Sequence, residues 1–193
     1  MGVDSYVLEP VAKGYKSTVP DGGRRAIDSH LEWASMPSTA LNSTLQGEFE
    51  NAALATIHFA INGLTLGFAD LTETPGAVDK RSFDQTLARA NVPDGHYLIL
   101  PVLGPHSSRN LLGRVVDTVT NPLSMIHAGN VGSAVRTAQI PAGAVAFRAN
   151  NFAAINDVKY NSIDPDARTR SLYFQSQAGK LANDQDGNKT PNL

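Results

Sequence analysis

The sequence predicts an all-α protein with one apolar hairpin-like insertion. Three observations carry this. Apolar residues recur at helical spacing through most of the chain. Start and stop signals such as Asp164-Pro165 and Gln46-Gly47 bound those stretches. One stretch, Phe83 to Asp117, departs from the pattern. In it Asp94-Gly95 is a turn signal, His96 to Leu100 is an aromatic and β-branched run, and Pro101 interrupts that run. Gly104-Pro105 is expected to break the chain again.

Taken in order, Asp4 is expected to cap a first helix carrying Tyr6, Val7, Val11 and Tyr15, with Pro10 late enough to kink it. Val19 to Gly23 reads as a turn. A second helix carries Ala26, Ile27, Leu31 and Ala34, and His30 lies on its apolar face as a satisfied side chain. Pro37 is expected to separate it from a shorter helix through Leu45. Phe49, Ala53, Ile57, Ala60, Ile61 and Leu64 then form a stripe, with Leu54, Ala55 and Phe59 opposite. A helix apolar nearly all round is buried or in lipid. Asn62-Gly63 and Gly67 break it before Asp70.

Ser107 or Ser108 can cap a helix with Leu111, Leu112, Val115, Val116 and Val119 on its apolar positions. Arg114 and Asp117 are spaced to pair on a solvated face. Asn121 to Ile126 reads as a short helix start, and Gly129 to Ala146 is rich in small residues. Val145 to Asn156 is expected to form a helix, and a last one starts at Asp164-Pro165 and runs to about Leu181. The expectation is one domain over residues 1–182 and a polar, disordered tail over 183–193.

Charge narrows the function. The 193 residues include 18% charged ones and carry a net charge of −2, with no basic run. Nucleic acid is therefore not an expected partner. There is no cysteine, which removes disulfides, thiolate metal sites and a cysteine nucleophile. Trp33–Gly47, Asn51–Ala69, Gly95–Ser108, Thr118–Val135 and Thr137–Phe147 carry no formal charge. None is a simple membrane span, which needs about 20 continuous apolar residues. Uncharged, broken segments fit half-embedded helices or a low-charge core. An uncharged loop rich in Gly and Pro, with Leu98 to Leu103 at its middle, either packs under something or faces lipid or a ligand. Apolar runs are commonly core, so on this stretch alone a buried hairpin is the expectation. No nucleophile elbow, zinc-protease helix, phosphate loop or dinucleotide fingerprint occurs. Asp184 to Gly187 resembles the middle of a calcium loop but lacks its first and last ligands. No cofactor or metal is implied.

Several short motifs acquire meaning from their order. Tyr6-Val7-Leu8-Glu9-Pro10, Leu45-Gln46-Gly47, Phe59-Ala60-Ile61-Asn62 and Phe83-Asp84-Gln85-Thr86-Leu87 are followed by Gly95, Tyr97, Leu100-Pro101, Gly104-Pro105, Arg109, Gly113 and Asp117. Asp164-Pro165, Arg170, Tyr173 and Gln175 close the series. Together they resemble the MlaA/VacJ family of outer-membrane lipoproteins, from Tyr6 to about Leu181. The resemblance implies a ring-like bundle of amphipathic, broken helices in the inner leaflet of the outer membrane. It implies an amphipathic channel beside the hairpin, through which phospholipid misplaced in the outer leaflet passes without covalent chemistry. The implied partners are phospholipid, a trimeric porin and a periplasmic lipid carrier similar to MlaC.

Several positions depart from the family pattern. Ala88 stands for a glycine, His96 for a proline, Asn110 for an aspartate and Asp166 for a tyrosine. The lipid-bearing cysteine and the family's first segment are missing, so the expectation is either a chain that has lost an N-terminal fragment or one whose anchor is absent. The candidate site comprises Asn62, Gly67 and Asp70 at the helix break. It includes Gly95, Tyr97, Leu98, Leu100, Pro101, Gly104 and Pro105 in the hairpin. Arg109 and Asp117 orient the following helix or line the polar passage. Each also has a plain structural reading, as turn glycines and helix-end charges. Two other classes stay open: a binding or scaffold protein of the same fold without its anchor, and a lipid hydrolase, which no motif supports.

Overall fold

The computed structural model of the chain describes residues 2–72, 78–100, 103–125 and 129–187. A π-helical turn, Asp4–Leu8, leads into α1 (Glu9–Thr18). Then come α2 (Asp21–Leu45), α3 (Phe49–Asn62) and a 3₁₀ turn, Gly63–Thr65. After α4 (Phe83–Arg89) the chain forms an antiparallel hairpin, β1 (Tyr97–Leu100) with β2 (Gly104–Ser107). α5 (Ser108–Thr120), α6 (Pro122–Met125), α7 (Gly129–Asn150), α8 (Phe152–Tyr160) and α9 (Pro165–Gly187) complete it. The mostly helical fold agrees with the sequence expectation.

Several expected boundaries move, each for an identifiable reason. Pro10 falls within a stretch that is helical from Gly2 to Thr18, in the first turn of α1, and the turn before it widens so that the Glu9 amide reaches back to the Asp4 carbonyl. Asp4 is no cap; its carboxylate turns to Arg148 at 2.7 Å and Lys159 at 2.9 Å. Nor does Pro37 divide α2, which runs through it. A proline inside a helix costs about 3 kcal/mol, and α2 offsets this by packing against α3, α4, α5 and α7 along its length. Similarly, α7 continues through Pro141 and ends at Asn150, where a helix starting at Val145 was expected. Asn151 terminates it: its side-chain amide donates to the Phe147 carbonyl at 2.9 Å. Gly104-Pro105 belongs to β2 rather than ending the hairpin. At α9 the expected start holds, with Asp164 Oδ1 accepting from the amides of Asp166 at 3.0 Å and Ala167 at 2.9 Å. That helix extends past Leu181 to Gly187.

The elements close on one another. α2 contacts α7, α7 contacts α8, α8 contacts α9, α9 contacts β2, β2 contacts α5, and α5 returns to α2. This cycle gives the bundle its ring-like order. No helix among the described residues is long and apolar enough to cross a membrane.

Burial is inverted relative to an ordinary water-soluble domain. The largest fully buried side chains among the described residues are Asn42, Thr39, Ser43 and Ser107. Buried apolar residues are mainly alanines, with Trp33 and Met36 on α2. The apolar stripe of α3 points outward, with Phe49 70% exposed and Ile57 47%, and Leu64 in the 3₁₀ turn that follows is 82% exposed. α5 repeats the arrangement, with Leu112, Val115 and Val119 exposed and Arg109 and Gly113 buried. Large contiguous apolar surface on one chain marks a lipid or partner surface.

Candidate lipid-contacting site

Three local structures position the candidate residues. The first is the helix break after α3. Leu66 and Gly67 both take positive φ, +52° and +75°. Gly67 lies so close to Trp33 that a Cβ would come within 2.4 Å of the Trp33 side chain. Trp33 is itself fixed, stacking on Phe59 with centroids 5.2 Å apart and donating its indole N–H to the Phe59 carbonyl at 2.9 Å. His30 stacks on Phe68 at 4.6 Å and its Nδ1 donates to the Leu66 carbonyl at 2.6 Å. This is the satisfied histidine expected from its place on the apolar face. Asn62 then ties the break together: Oδ1 accepts from the Leu71 amide at 2.7 Å and Nδ2 donates to Asp70 at 3.1 Å. The Thr72 hydroxyl bonds Asp70 at 2.5 Å and holds its carboxyl below the ordinary range. Asn62, Gly67 and Asp70 are thus brought together, as one polar knot beside the exposed Leu64, Leu66, Phe68 and Leu71.

The second is the hairpin. Its register pairs Tyr97 with Ser107, Leu98 with His106, Ile99 with Pro105 and Leu100 with Gly104. Gly104 has φ +80°, at the end that turns. Pro101 lies outside the described residues. Leu98 and Ile99 are 41% and 50% exposed, so the hairpin does not cover a core as the stretch alone suggested. Its base is fixed instead. The Ser108 amide donates to the His96 carbonyl at 2.9 Å, and the Ser107 amide to the Tyr173 hydroxyl at 2.8 Å. Gly95, φ +73°, crosses close to Ser108. Ser107 is the cap of α5, accepting from the Asn110 amide at 3.1 Å.

The third is the polar interior joining α2, α4 and α5. Arg109 Nε donates to Asp84 at 2.8 Å, its Nη1 to the Val92 carbonyl at 2.8 Å, and Nη2 lies 2.6 Å from Asp94. Asp117 accepts from Asn42 Nδ2 at 2.7 Å and from the Phe83 amide at 3.1 Å, completing the N-terminus of α4. Burial raises its pKa, although these two bonds pull the other way. The expected Arg114–Asp117 surface pair is not what forms. Arg114 turns to β2 and donates to His106 Nε2 at 2.9 Å, while Asp117 turns inward. Thr86 links Asn42 at 2.9 Å to Gln46 at 2.8 Å, extending the polar chain. Arg109 and Asp117 therefore tie α5 to the first residues of α4.

Sequence reasoning did not pick out Thr39, Asn42 and Ser43, and read Gln46 as a helix end and part of a short motif. Their i, i+3, i+4, i+7 spacing is the signal, because it puts polar groups on one face of α2. A buried polar face needs partners, and Asn42, Thr86 and Asp117 supply them.

His106 gives a pH dependence. Arg114 can only donate, so Nε2 accepts and Nδ1 carries the proton toward the Gly104 carbonyl, 3.2 Å away. Burial lowers the His106 pKa in the folded protein, and Arg114 adds to this. The unfolded chain then binds the proton first as pH falls below about 6.5. Stability from this residue is present above that pH and is lost below it. Urea midpoints measured from pH 7.5 to 5.5 should fall, and His106→Gln should flatten that slope. An unchanged slope would mean that His106 titrates normally.

Comparison with known proteins agrees with this geometry. The MlaA lipoprotein family model matches residues 1–180. An uncharacterised protein of Rickettsia bellii is 29% identical over 184 residues, covering 93% of this chain and 70% of that protein. The intermembrane phospholipid transport system lipoprotein MlaA of Haemophilus influenzae is 32% identical over 123 residues, 60% of this chain and 48% of its own length. The chain thus spans about half of that relative. A solved structure from work on the structural basis for maintenance of bacterial outer membrane lipid asymmetry superposes with TM-score 0.78 and 25% identity. It covers 93% of this chain and 90% of that one. The chain belongs to the MlaA lipoprotein family.

Proposed function

We propose that this protein carries phospholipid at the outer membrane of a Gram-negative bacterium, removing it from the outer leaflet and passing it to a periplasmic carrier. The observation that carries the reading is the inverted burial: apolar stripes of α3, α5 and the hairpin face out, and Thr39, Asn42, Ser43 and Asp117 line the inside of the packing. A phospholipid has a charged head and apolar tails, so its passage needs polar groups bounded by an apolar rim. In lipid every buried backbone and polar group must find an internal partner, and the Asn42–Thr86–Asp117 chain supplies such partners. The helices rest in one leaflet rather than crossing, and a trimeric porin flanks the ring. Transfer breaks no covalent bond, and membership of the MlaA lipoprotein family supports the reading.

The test is transfer itself. Vesicles bearing the protein and a fluorescent phospholipid should deliver that lipid to acceptor vesicles through a soluble lipid carrier faster than protein-free vesicles. Leu98→Asp with Leu100→Asp should return the rate to background. Equal rates with and without protein would overturn the proposal.

A further inference from the structure

We propose that Arg170, the Tyr97 hydroxyl and Asp166 form a headgroup site at the base of the hairpin. Its ligand is a zwitterionic glycerophospholipid, with phosphate on Arg170 and Tyr97 and ammonium on Asp166. The inference rests on the phospholipid reading above and names which lipid class that reading favours. Tyr97 stands at the open end of the hairpin, opposite Ser107. Its ring meets Tyr173 at 5.6 Å and Phe174 at 5.8 Å, so an aromatic cluster joins β1 to α9. The Arg170 guanidinium lies over the rings of Tyr97 and Phe174, 5.7 and 5.9 Å from their centroids.

The Arg170 guanidinium differs in its surroundings from those of Arg109, Arg148 and Arg168. Arg109, Arg148 and Arg168 each have a carboxylate within 3 Å. Arg170 is exposed and, among the described residues, is held by ring faces alone. A guanidinium set on aromatic faces keeps its N–H fork free for a phosphate. The Tyr97 hydroxyl is buried and has no hydrogen-bond partner among the described residues. An orphaned buried polar atom points to a missing partner. Burial, with the Asp166 charge adding to it, holds the phenol above its ordinary range, so it stays protonated and can donate. Asp166 lies one turn before Arg170 on α9, on the same face, and is exposed. A bare anion would meet that carboxylate unfavourably, whereas a ligand carrying an ammonium beside its phosphate satisfies both charges. The exposed Ile99 lies on the same face of β1 as Tyr97 and offers an apolar surface for the acyl chains.

The experiment measures binding to the full chain in mild detergent by native mass spectrometry. The probes are phosphatidylethanolamine, phosphatidylglycerol and diacylglycerol with identical acyl chains, and inorganic phosphate. The wild-type protein should bind phosphatidylethanolamine several-fold better than phosphatidylglycerol, and Asp166→Asn should abolish that preference. Arg170→Gln should weaken both phospholipids about 10-fold while leaving diacylglycerol unchanged. Tyr97→Phe, which keeps the ring packing, should weaken both about 3-fold. Unchanged phospholipid affinity in Arg170→Gln and Tyr97→Phe would overturn the site and leave the transport reading standing, because the wild type still binds lipid. Inorganic phosphate binding as tightly as phosphatidylethanolamine would overturn the lipid assignment. A wild-type protein that binds no lipid would overturn both.

Discussion

Replacing Arg109 by alanine is expected to cost about 3–5 kcal/mol of stability, the range for breaking a buried ion pair from one side. The Arg109 and Asp84 side chains are 6% and 5% exposed, so neither partner is solvated. Removing the guanidinium leaves Asp84 with the Asn110 amide, 3.1 Å away, and strips the Val92 carbonyl of its donor. Gly113 packs on the same turn, where a Cβ would stand 2.5 Å from the Asp84 amide nitrogen. Urea unfolding followed by Trp33, the only tryptophan, reads the effect. Arg109→Met with Asp84→Leu should recover much of the loss, because a volume-matched apolar pair needs no charge compensation. A cost below about 1 kcal/mol for the single substitution would place the pair in water, as for a surface bridge.

Putting charge on the α3 stripe should have the opposite profile, sparing the fold and removing membrane affinity. Ile57 and Ile61 are 47% and 38% exposed, and their neighbours on the stripe, Phe49 and Leu64, are more so. Both side chains are already more than half buried, so lipid contact adds roughly 0.6–1.4 kcal/mol each, a share of the value for a whole side chain. Ile57→Asp with Ile61→Asp should therefore lower partition into phospholipid vesicles at least about 10-fold, at 1.4 kcal/mol per factor of ten. Helix content by circular dichroism should stay unchanged. Unaltered partition would mean that this stripe faces an aqueous interior or a protein partner.

The fold was legible where local chemistry decides it. Asp164-Pro165, Gln46-Gly47, the Asn62 to Gly67 break and the Tyr97 to Ser107 hairpin all act through neighbours a few residues away. Pro37 misled, because the cost of a helix-interior proline is local while the packing that offsets it comes from distant elements. The site was legible in part. Asn62, Gly67 and Asp70 lie together as their spacing suggested, and Tyr97 to Leu100 forms a strand after the Asp94-Gly95 turn, while Gly104-Pro105 belongs to the returning strand instead of breaking it. Arg114 and Asp117 were not legible. At i, i+3 they can meet on a helix surface, but α5 has its polar side inward, so Asp117 finds Asn42 and Phe83 and Arg114 finds His106. Periodicity shows that a helix has an apolar face; it does not show whether that face points to a core or to lipid.

That direction is the central claim, and spin-label depth measurement tests it directly. The chain has no cysteine, so single cysteines carry label without background. Labels at Ile57, Leu98 and Val115, with Lys180 as the exposed polar reference, would be read in phospholipid vesicles. Accessibility to oxygen and to a water-soluble nickel chelate would be compared at each position. The account predicts oxygen access well above nickel access at Ile57, Leu98 and Val115, and the reverse at Lys180. Nickel access at the three apolar positions equal to that at Lys180 would contradict it, because those faces would then be in water.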